Sequence, residues 1–289
     1  MANTIALAKN YISILDEVYK NASVTADLTS DNTMVRAGAN ANEIVYPQIA
    51  VSGLGDYSRN SGYTNGSVNL EWKTAQFNYD RGTKISVDVM DNEESRDIAF
   101  TMAGSELMRT KVAPEADAFT FATLAGIEGI SKAEAVTYAD AVAFLAGLIE
   151  AKNKMDEDEV PEEGRILYAT PTLLNGVIAL DTTKSREVLN SFAVIKKVPQ
   201  SRFYTAIDLL DGKTSGEEAG HYRKASTGKD INFMIVHKPA VIKFDKHTAS
   251  DIIPASANPD ADADISKYRK YGIVDVFKNK VAGIYLSHK

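Results

Sequence analysis

The first third of the chain changes from helical to alternating spacing of its apolar residues. Apolar side chains at helical spacing predict an amphipathic helix over residues 5–19. Residues 23–43 are polar and show no clear period, which predicts an extended arm or loop. The next segment, EIVYPQIAV (43–51), predicts a short strand, and Pro47 favours the edge of a sheet because proline cannot donate a ladder hydrogen bond.

A long two-stranded hairpin is predicted over residues 44–89. Asn65-Gly66 is a dipeptide typical of hairpin turns, and the tip around it is polar and rich in glycine. Apolar and polar residues then alternate with the period of a half-buried strand. The apolar positions are Val68, Leu70, Trp72, Phe77, Tyr79, Ile85, Val87 and Val89. An isolated hairpin is marginal in water, so we expect something else to cover it.

Three helices are predicted in the middle of the chain. Residues 91–112 form the first, and its apolar residues lie on opposite sides, so that both faces need cover. Pro114 predicts the start of a second helical segment, because proline is tolerated in a first turn. Thr137-x-x-Asp140 resembles a capping box and predicts a third helix over 139–154.

The last part of the chain predicts strands mixed with helices. Residues 165–171 indicate a buried strand, followed by a helix with Thr170 as its cap. Residues 231–244 return to strand character. The segment 271–287 predicts two strands around a turn at 278–280, paired antiparallel. This order of elements indicates an α+β fold.

Composition narrows the class of protein. The chain has 289 residues, 44% hydrophobic and 25% charged, which is the balance of a folded globular protein. No apolar run approaches the roughly 20 residues of a membrane span, and the start lacks a signal-peptide pattern. The absence of cysteine excludes disulfides and thiolate sites and favours an intracellular folding compartment. The net charge of −7 argues against a broad nucleic-acid-binding face, but not against a shell that encloses nucleic acid.

No motif in the sequence predicts an enzyme, and no cofactor is expected. Gly212-Lys213-Thr214 ends like a phosphate-binding loop, but Ile207 occupies the position of the upstream glycine. The four histidines are scattered without metal-ligand spacing. The basic and aromatic residues of 267–271 could stack on nucleic acid, although a salt-bridged surface or subunit contact is the commoner use of such a cluster.

One acidic segment is a weak candidate for a metal site. Asp260, Asp262 and Asp264 alternate, so in an extended segment they share a face and could hold a hard cation. As a calcium loop the segment lacks half of its ligand set, because Ile265 and Tyr271 stand where glycine and glutamate belong. A solvated loop is therefore the favoured interpretation.

The segment 79–125 resembles the major capsid proteins of tailed bacteriophages. In that family a hairpin strand with an Arg-Gly step leads into a long helix that carries a characteristic pattern. The matching residues are Arg81-Gly82, Glu94, Ala103, Gly104-Ser105-Glu106-Leu107, Arg109-Thr110, Val112, Pro114-Glu115 and Asp117-Ala118. Ser105 and Ala116 are mild departures. The resemblance spans nearly the whole chain, but only 79–125 is specific.

The resemblance implies a phage major-capsid fold and a structural role. The implied parts are an N-terminal arm (1–42), an extended hairpin called the E-loop (43–89), a P-domain with a long spine helix (90–129 and 256–289) and an A-domain (130–255). Such subunits form hexamers and pentamers of an icosahedral shell around double-stranded DNA. The implied partners are a portal, decoration proteins and a separate scaffolding protein; the alternative to the last is that this chain is already a processed form. The implied location is the virion, after assembly in the host cytoplasm.

The resemblance also explains the uncovered hairpin, because neighbouring subunits can cover it. We expect aromatic side chains to pack across a subunit boundary and charged ones to make rim contacts. The candidate interface residues are Arg59, Trp72, Lys73, Phe77, Tyr79 and Arg109.

Two alternatives stay open at this point. Encapsulins, the shell proteins of cellular nanocompartments, share this fold and use an N-terminal helix to hold a cargo peptide, and residues 5–19 could serve that purpose. The long E-loop and the spine-helix pattern favour the phage interpretation. An α+β enzyme with an unrecognised site is the other alternative, and the failed motifs argue against it.

Overall fold

The computed structural model describes residues 22–30, 36–37, 42–60, 62–94 and 98–289. These residues form two compact units. The smaller unit comprises the described part of Asp31–Asn78, and the larger unit comprises the described parts of Met1–Ser30 and Tyr79–Lys289. The helix predicted over 5–19 lies outside the described residues.

The described residues form strands, α-helices and short 3-10 turns in mixed order. The strands are β1 Arg36–Ala37, β2 Glu43–Val51, β3 Val68–Gln76, β4 Tyr79–Asp88, β5 Ser131–Ala133, β6 Arg165–Ala169, β7 Val194–Lys197, β8 Ile207–Leu209, β9 Tyr222–Lys224, β10 Ile231–His237, β11 Val241–Ile253, β12 Ala263–Val276 and β13 Ile284–His288. The α-helices are α1 Val89–Glu94, α2 Ile98–Leu107, α3 Ala113–Gly126, α4 Ala141–Glu157, α5 Pro171–Leu180 and α6 Thr183–Asn190.

A five-stranded sheet in the order β5-β13-β10-β6-β7 forms the centre of the larger unit. Every residue of β6 and β10 is buried, because side chains on both faces of these strands enter a hydrophobic cluster. Phe233 and Ile235 join the cluster that includes residues of α4 and α5. Met234 and Val236 join the one that includes residues of α3. The continuous apolar run of β10 is therefore explained by cover on both faces.

The predicted hairpin is too long, because its last strand, β4, belongs to a second sheet in the order β11-β12-β4. The alternation of apolar residues predicted that 79–89 continues the hairpin, but β4 pairs antiparallel with β12 instead. Alternation identifies a strand without identifying its partner. Close approach of the two strands requires Gly82, since a Cβ at that position would lie 2.8 Å from the carbonyl oxygen of Tyr268.

The predicted antiparallel pair at the end of the chain is also wrong. β12 and β13 both exist, but β13 pairs with β10 and β5 in the five-stranded sheet, whereas β12 pairs with β11 and β4. A 3-10 segment, Lys278–Gly283, connects them. The tight turn expected at 278–280 is thus a link between two sheets.

The helical segments of residues 98–126 are continuous, although the sequence predicted a new helix at Pro114. A π-helical turn, Met108–Val112, joins α2 to α3, and Val112 and Ala113 keep helical backbone angles. Pro114 therefore lies in the first turn after the π segment and does not begin a separate helix. The wider π turn accommodates the proline ring and its missing N–H donor within one helix.

The helices α4 and α5 begin close to the residues predicted to cap them. Asp140 caps α4, because its carboxylate accepts a hydrogen bond of 2.7 Å from the backbone N–H of Ala143. The capping box predicted for Thr137 is therefore replaced by a simple Asp cap. Thr170 occupies the position before α5 as predicted, but its side chain makes no capping hydrogen bond.

Candidate assembly surface

The hairpin formed by β2 and β3 carries an apolar face. The register pairs Val51 with Val68, Ile49 with Leu70 and Pro47 with Trp72. Side chains two residues apart lie on the same face of a strand, and directly paired residues share that face. These six residues, Pro47, Ile49, Val51, Val68, Leu70 and Trp72, therefore form one continuous apolar ladder.

The apolar ladder is exposed in the subunit. Val68 is 71% exposed, Ile49 59%, Leu70 52% and Trp72 46%. Full burial of one such side chain contributes about 1.5–3 kcal/mol relative to leaving it in water. A contiguous exposed apolar patch of this kind marks a surface that binds another molecule.

The opposite face of the hairpin has a different character. Near the tip it is polar, with Gln48 paired to Glu71, and Lys73 forms an ion pair of 2.5 Å with Glu71. Towards the base, Ile44 and Tyr46 are buried. The two faces are thus distinguished along the whole hairpin, and only one carries the exposed ladder.

The hairpin tip turns at a place that the sequence did not indicate. Ser58 and Gly62 exchange backbone hydrogen bonds, and Gly62 has a φ of +78°. Asn65-Gly66, the predicted turn, lies outside this exchange. The exposed rings of Tyr57 and Tyr63 lie beside the turn with their centroids 4.9 Å apart.

Most of the interface residues predicted from the sequence lie at accessible places. Arg59 is exposed in the tip, and Trp72 and Lys73 lie on opposite faces of β3. Phe77 is half-buried just after β3. Arg109 is exposed in the π turn, where it forms an ion pair of 2.7 Å with Glu106.

Tyr79 is a correction to that set. Its side chain is buried within the larger unit, where its hydroxyl donates to Glu115 Oε1 at 3.3 Å and its ring lies 4.9 Å from that of Phe119. A side chain packed in this way has little surface left for contact with a neighbouring subunit. Its partners lie more than thirty residues away in sequence, so periodicity alone could not identify them.

Tyr79 lies beside an ion pair that sequence reasoning missed. Arg81 donates to both carboxylate oxygens of Glu115, at 2.7 and 3.2 Å, and to the carbonyl oxygen of His221 at 3.2 Å. Burial raises the pKa of Glu115, but its contacts with His221 and Arg81 outweigh that effect and lower it. Arg81, Glu115 and His221 thus connect β4, α3 and the loop before β9. They lie at the edge of a cleft of about 490 Å³.

The loop containing Gly212-Lys213-Thr214 does not offer its amides to a phosphate. The backbone N–H groups of Lys213 and Thr214 both donate to Asp211 Oδ1, at 2.7 and 2.8 Å. The Thr214 hydroxyl also donates to this carboxylate and, with those amides, lowers the pKa of Asp211 to about 2. The loop's donors are satisfied by its own acidic side chain, as expected of a coincidental match.

In the acidic segment near residue 260, one of the three candidate carboxylates is engaged by the backbone. Asp264 accepts a hydrogen bond from the backbone N–H of Ala255 at 2.8 Å. Within the described residues, no three acidic or histidine side chains converge on a point where a metal ion could bind.

Two of the basic side chains in the cluster of 267–271 form ion pairs within the subunit, and Lys270 is buried. Arg269 forms an ion pair of 2.6 Å with Asp80 across the strand pair, and Lys270 lies 3.1 Å from Asp245. These pairs hold two of the cluster's three basic side chains within the sheet.

Among the described residues, no helix is both long and apolar enough to span a bilayer.

Comparison by sequence finds no relative: no family model matches the chain, and no curated protein matches it. Comparison by structure does. The capsid of Cyanophage P-SCSP1u matches with a TM-score of 0.61 at 14% identity, over 92% of this chain and 88% of that one. The mature capsid of bacteriophage PhiM1 matches with a TM-score of 0.58 at 14% identity, over 87% of this chain and 83% of that one.

A virus-like particle protein from Pyrococcus furiosus is similar over a larger share of both chains. It matches with a TM-score of 0.60 at 10% identity, over 97% of this chain and 99% of that one. The chain therefore has the phage major-capsid fold, and the predicted fold class is confirmed.

Proposed function

We propose that this chain is a major capsid protein. In this proposal it assembles into hexamers and pentamers of an icosahedral shell that encloses phage DNA, and its place is the virion. The fold supports a shell subunit, since its neighbours in structure are capsid and particle proteins. The observation that carries the proposal is the exposed apolar ladder on the hairpin.

A closed shell resolves the problem that this ladder poses for a single subunit. In a closed assembly every subunit is surrounded by copies of itself, so surface that is exposed on the monomer becomes interface. Leu70 and Ile49 then bury their side chains against a neighbour, and Trp72 acts as an aromatic anchor. Arg59 and Lys73 lie at the rim, where polar contacts surround the apolar centre of an interface. Phe77 and Arg109 complete the proposed contact set.

We propose for the subunit the four parts that the resemblance implies, although β4 of the E-loop pairs with β12 of the P-domain and β13 of the P-domain pairs with β10 of the A-domain. The arm covers 1–42, the E-loop 43–89, the P-domain 90–129 and 256–289, and the A-domain 130–255. The end of β3 at Gln76 and the limit of the smaller unit at Asn78 favour an E-loop that ends near residue 78.

The proposed partners follow from charge and from the shell role. A net charge of −7 suits a wall that encloses double-stranded DNA without reading its sequence. A separate scaffolding protein, a portal and decoration proteins complete the proposed assembly, which takes place in the host cytoplasm. The role is structural, and no catalytic residue or cofactor belongs to it.

The test is particle formation by a matched pair of variants. Leu70→Asp places a charge in the apolar ladder, whereas Asn69→Asp places the same charge on the opposite face one residue away. With a scaffolding partner if one is needed, light scattering and negative-stain imaging should show rings or shells for the wild type and for Asn69→Asp. Leu70→Asp should remain a folded monomer. A wild type that stays monomeric under every condition contradicts the proposal.

A second candidate is the shell of a cellular nanocompartment. The observation that favours it is the similarity to the Pyrococcus furiosus virus-like particle over nearly the full length of both chains. The contents of purified particles separate the two candidates. Nuclease-protected DNA supports the capsid, and a stoichiometric protein cargo supports the nanocompartment.

A further inference from the structure

Residues 22–30 are held against the rest of the larger unit mainly by hydrogen bonds that involve side chains. Ala22 is helical, Ala26–Leu28 form a 3-10 turn, and among the described residues the segment joins no strand ladder. Side chains from α3, from the turn Gln200–Arg202 and from β11 hold it in place. Detachment of residues 23–30 would therefore break the turn Ala26–Leu28 but no strand pairing among the described residues.

Asp117 of α3 is the first element of this attachment. It is fully buried, and its carboxylate accepts five hydrogen bonds, four of them from the segment. The donors are Ser23 Oγ at 2.7 Å, Thr25 Oγ1 at 2.7 Å, the backbone N–H groups of Val24 and Thr25 at 3.1 Å each, and the guanidinium of Arg202 at 3.1 Å.

Lys243 of β11 is the second element. Its side chain is buried, and its ammonium donates to Thr25 Oγ1 at 2.6 Å and to the Thr25 carbonyl oxygen at 2.9 Å. The backbone of the same lysine binds the far end of the segment, because Ser30 N–H donates to the Lys243 carbonyl oxygen at 2.9 Å. Thr25 thus contacts both buried charges.

Buried charges are an unusual way to fasten a segment that never moves. Well-packed apolar residues hold such a segment as well or better, because each buried ion must be desolvated. Charges have a different property: when the segment leaves, Asp117 and Lys243 become hydrated, which offsets part of the cost of opening. Directed hydrogen bonds also admit one docked position only. Leu28, fully buried in the core, is the main apolar contact of the segment.

We propose that Asp117 and Lys243 form a polar latch, which lets residues 22–30 detach and redock at one position while the rest of the subunit stays folded. The latch is a property of the isolated chain and does not depend on the proposed shell function.

Hydrogen–deuterium exchange of the full-length subunit tests the latch. Asp117→Asn removes acceptor capacity from the centre of the network, so exchange in a peptide covering 22–30 should accelerate at least tenfold. Peptides covering β6 and β10 should keep their wild-type exchange. Ser23→Ala removes one hydrogen bond from the segment's side and leaves both charges in place, so it should accelerate the same peptide by about threefold to tenfold.

Thr120→Val is the matched control. Thr120 lies one turn further along α3, is equally buried and donates to the Ala116 carbonyl oxygen of its own helix. It should leave exchange in 22–30 unchanged. Equal acceleration of 22–30 and the sheet peptides in Asp117→Asn overturns the latch, because it shows global unfolding only. Unchanged exchange of 22–30 in Ser23→Ala overturns it as well.

Discussion

The hairpin strand β3 and the sheet strand β10 both carry large apolar side chains, but their surroundings differ. In β10 both faces are covered within the chain, and all seven residues are buried. In β3 the side chains of Val68, Leu70 and Trp72 face outward and are about half exposed or more. The apolar residues of β10 stabilise the subunit, whereas those of β3 have their main use only when another molecule covers them.

The difference teaches that apolar content does not by itself identify a core. A strand contributes to folding when other elements of the same chain cover it, and to association when they do not. Variants that change subunit stability without changing association, or the reverse, can therefore test whether β3 and β10 differ in this way.

The largest effect is expected in the centre of the five-stranded sheet. Phe233 of β10 is fully buried and packs against the rings of Phe144 and Tyr285. Phe233→Ala should lower the free energy of unfolding by about 3–5 kcal/mol, because it removes buried surface and leaves a cavity. Urea denaturation followed by circular dichroism measures this. A loss below about 1 kcal/mol is incompatible with the packing of β10.

The next effect concerns the buried ion pair of Arg81 and Glu115. Arg81→Met leaves a buried carboxylate without its partner and should cost about 3 kcal/mol at neutral pH. The folded-state pKa of Glu115 is lowered, so the pair stabilises the fold above the ordinary glutamate pKa and stops doing so as pH falls. The deficit of the variant should therefore shrink towards about pH 4.

An exposed pair on the same sheet is the control for Arg81. Arg269 and Asp80 are 57% and 45% exposed, and Arg269→Met should cost at most about 1 kcal/mol. Equal losses for the two variants would show that burial does not decide the strength of these pairs.

An intermediate effect is expected from Lys243 as the pH changes. Burial lowers its pKa from 10.5 to about 8, and the charged groups around it are Asp117, Lys270, Asp245 and Asp27. The unfolded chain then holds this proton more strongly than the folded chain, so stability rises with pH between these two values. From about pH 7.5 to about pH 9.5 the gain should reach roughly 2 kcal/mol. Lys243→Met should lack this gain, and an identical slope in that variant speaks against Lys243 as its source.

The smallest effect is expected on the apolar ladder. Ile49→Ala should change the stability of the isolated subunit by less than about 0.5 kcal/mol, because the side chain is exposed. Ile44 on the other face of β2 is buried, and Ile44→Ala should cost about 2 kcal/mol or more.

Unfolding of both variants can be followed by the fluorescence of Trp72, because it is the one tryptophan of the chain and lies in β3. A loss above about 1 kcal/mol for Ile49→Ala would mean that the chain itself covers the ladder.

Local patterns predicted the elements of the fold well. The buried strand at 165–171, the helix after Thr170 and the strand character of 231–244 all occur, because each depends on spacing within one short segment. The resemblance of 79–125 to phage capsid proteins predicted the fold that the structural comparisons confirm.

Long-range partners were beyond the reach of these patterns. The pairing of β4 with β12 joins residues 175 to 193 positions apart, and the same alternation is compatible with continuing the hairpin. The contacts of Arg81 with Glu115 and of Asp117 with Thr25 depend on the same kind of proximity. The alternating pattern placed Tyr79 at an interface because it does not show that Glu115 and Phe119, which are distant in sequence, pack against it.

Short-range periodicity in the sequence predicted most strands and helices of the described residues and the need to cover the hairpin. The turn and cap signals at Asn65-Gly66, at 278–280 and at Thr137 were wrong. Only the tertiary structure decided which apolar faces the chain covers and which it leaves open. The physical reason is that burial depends on which distant segments pack together. Five-stranded packing encloses β10, whereas β2 and β3 leave Ile49 and Leu70 exposed on the hairpin surface.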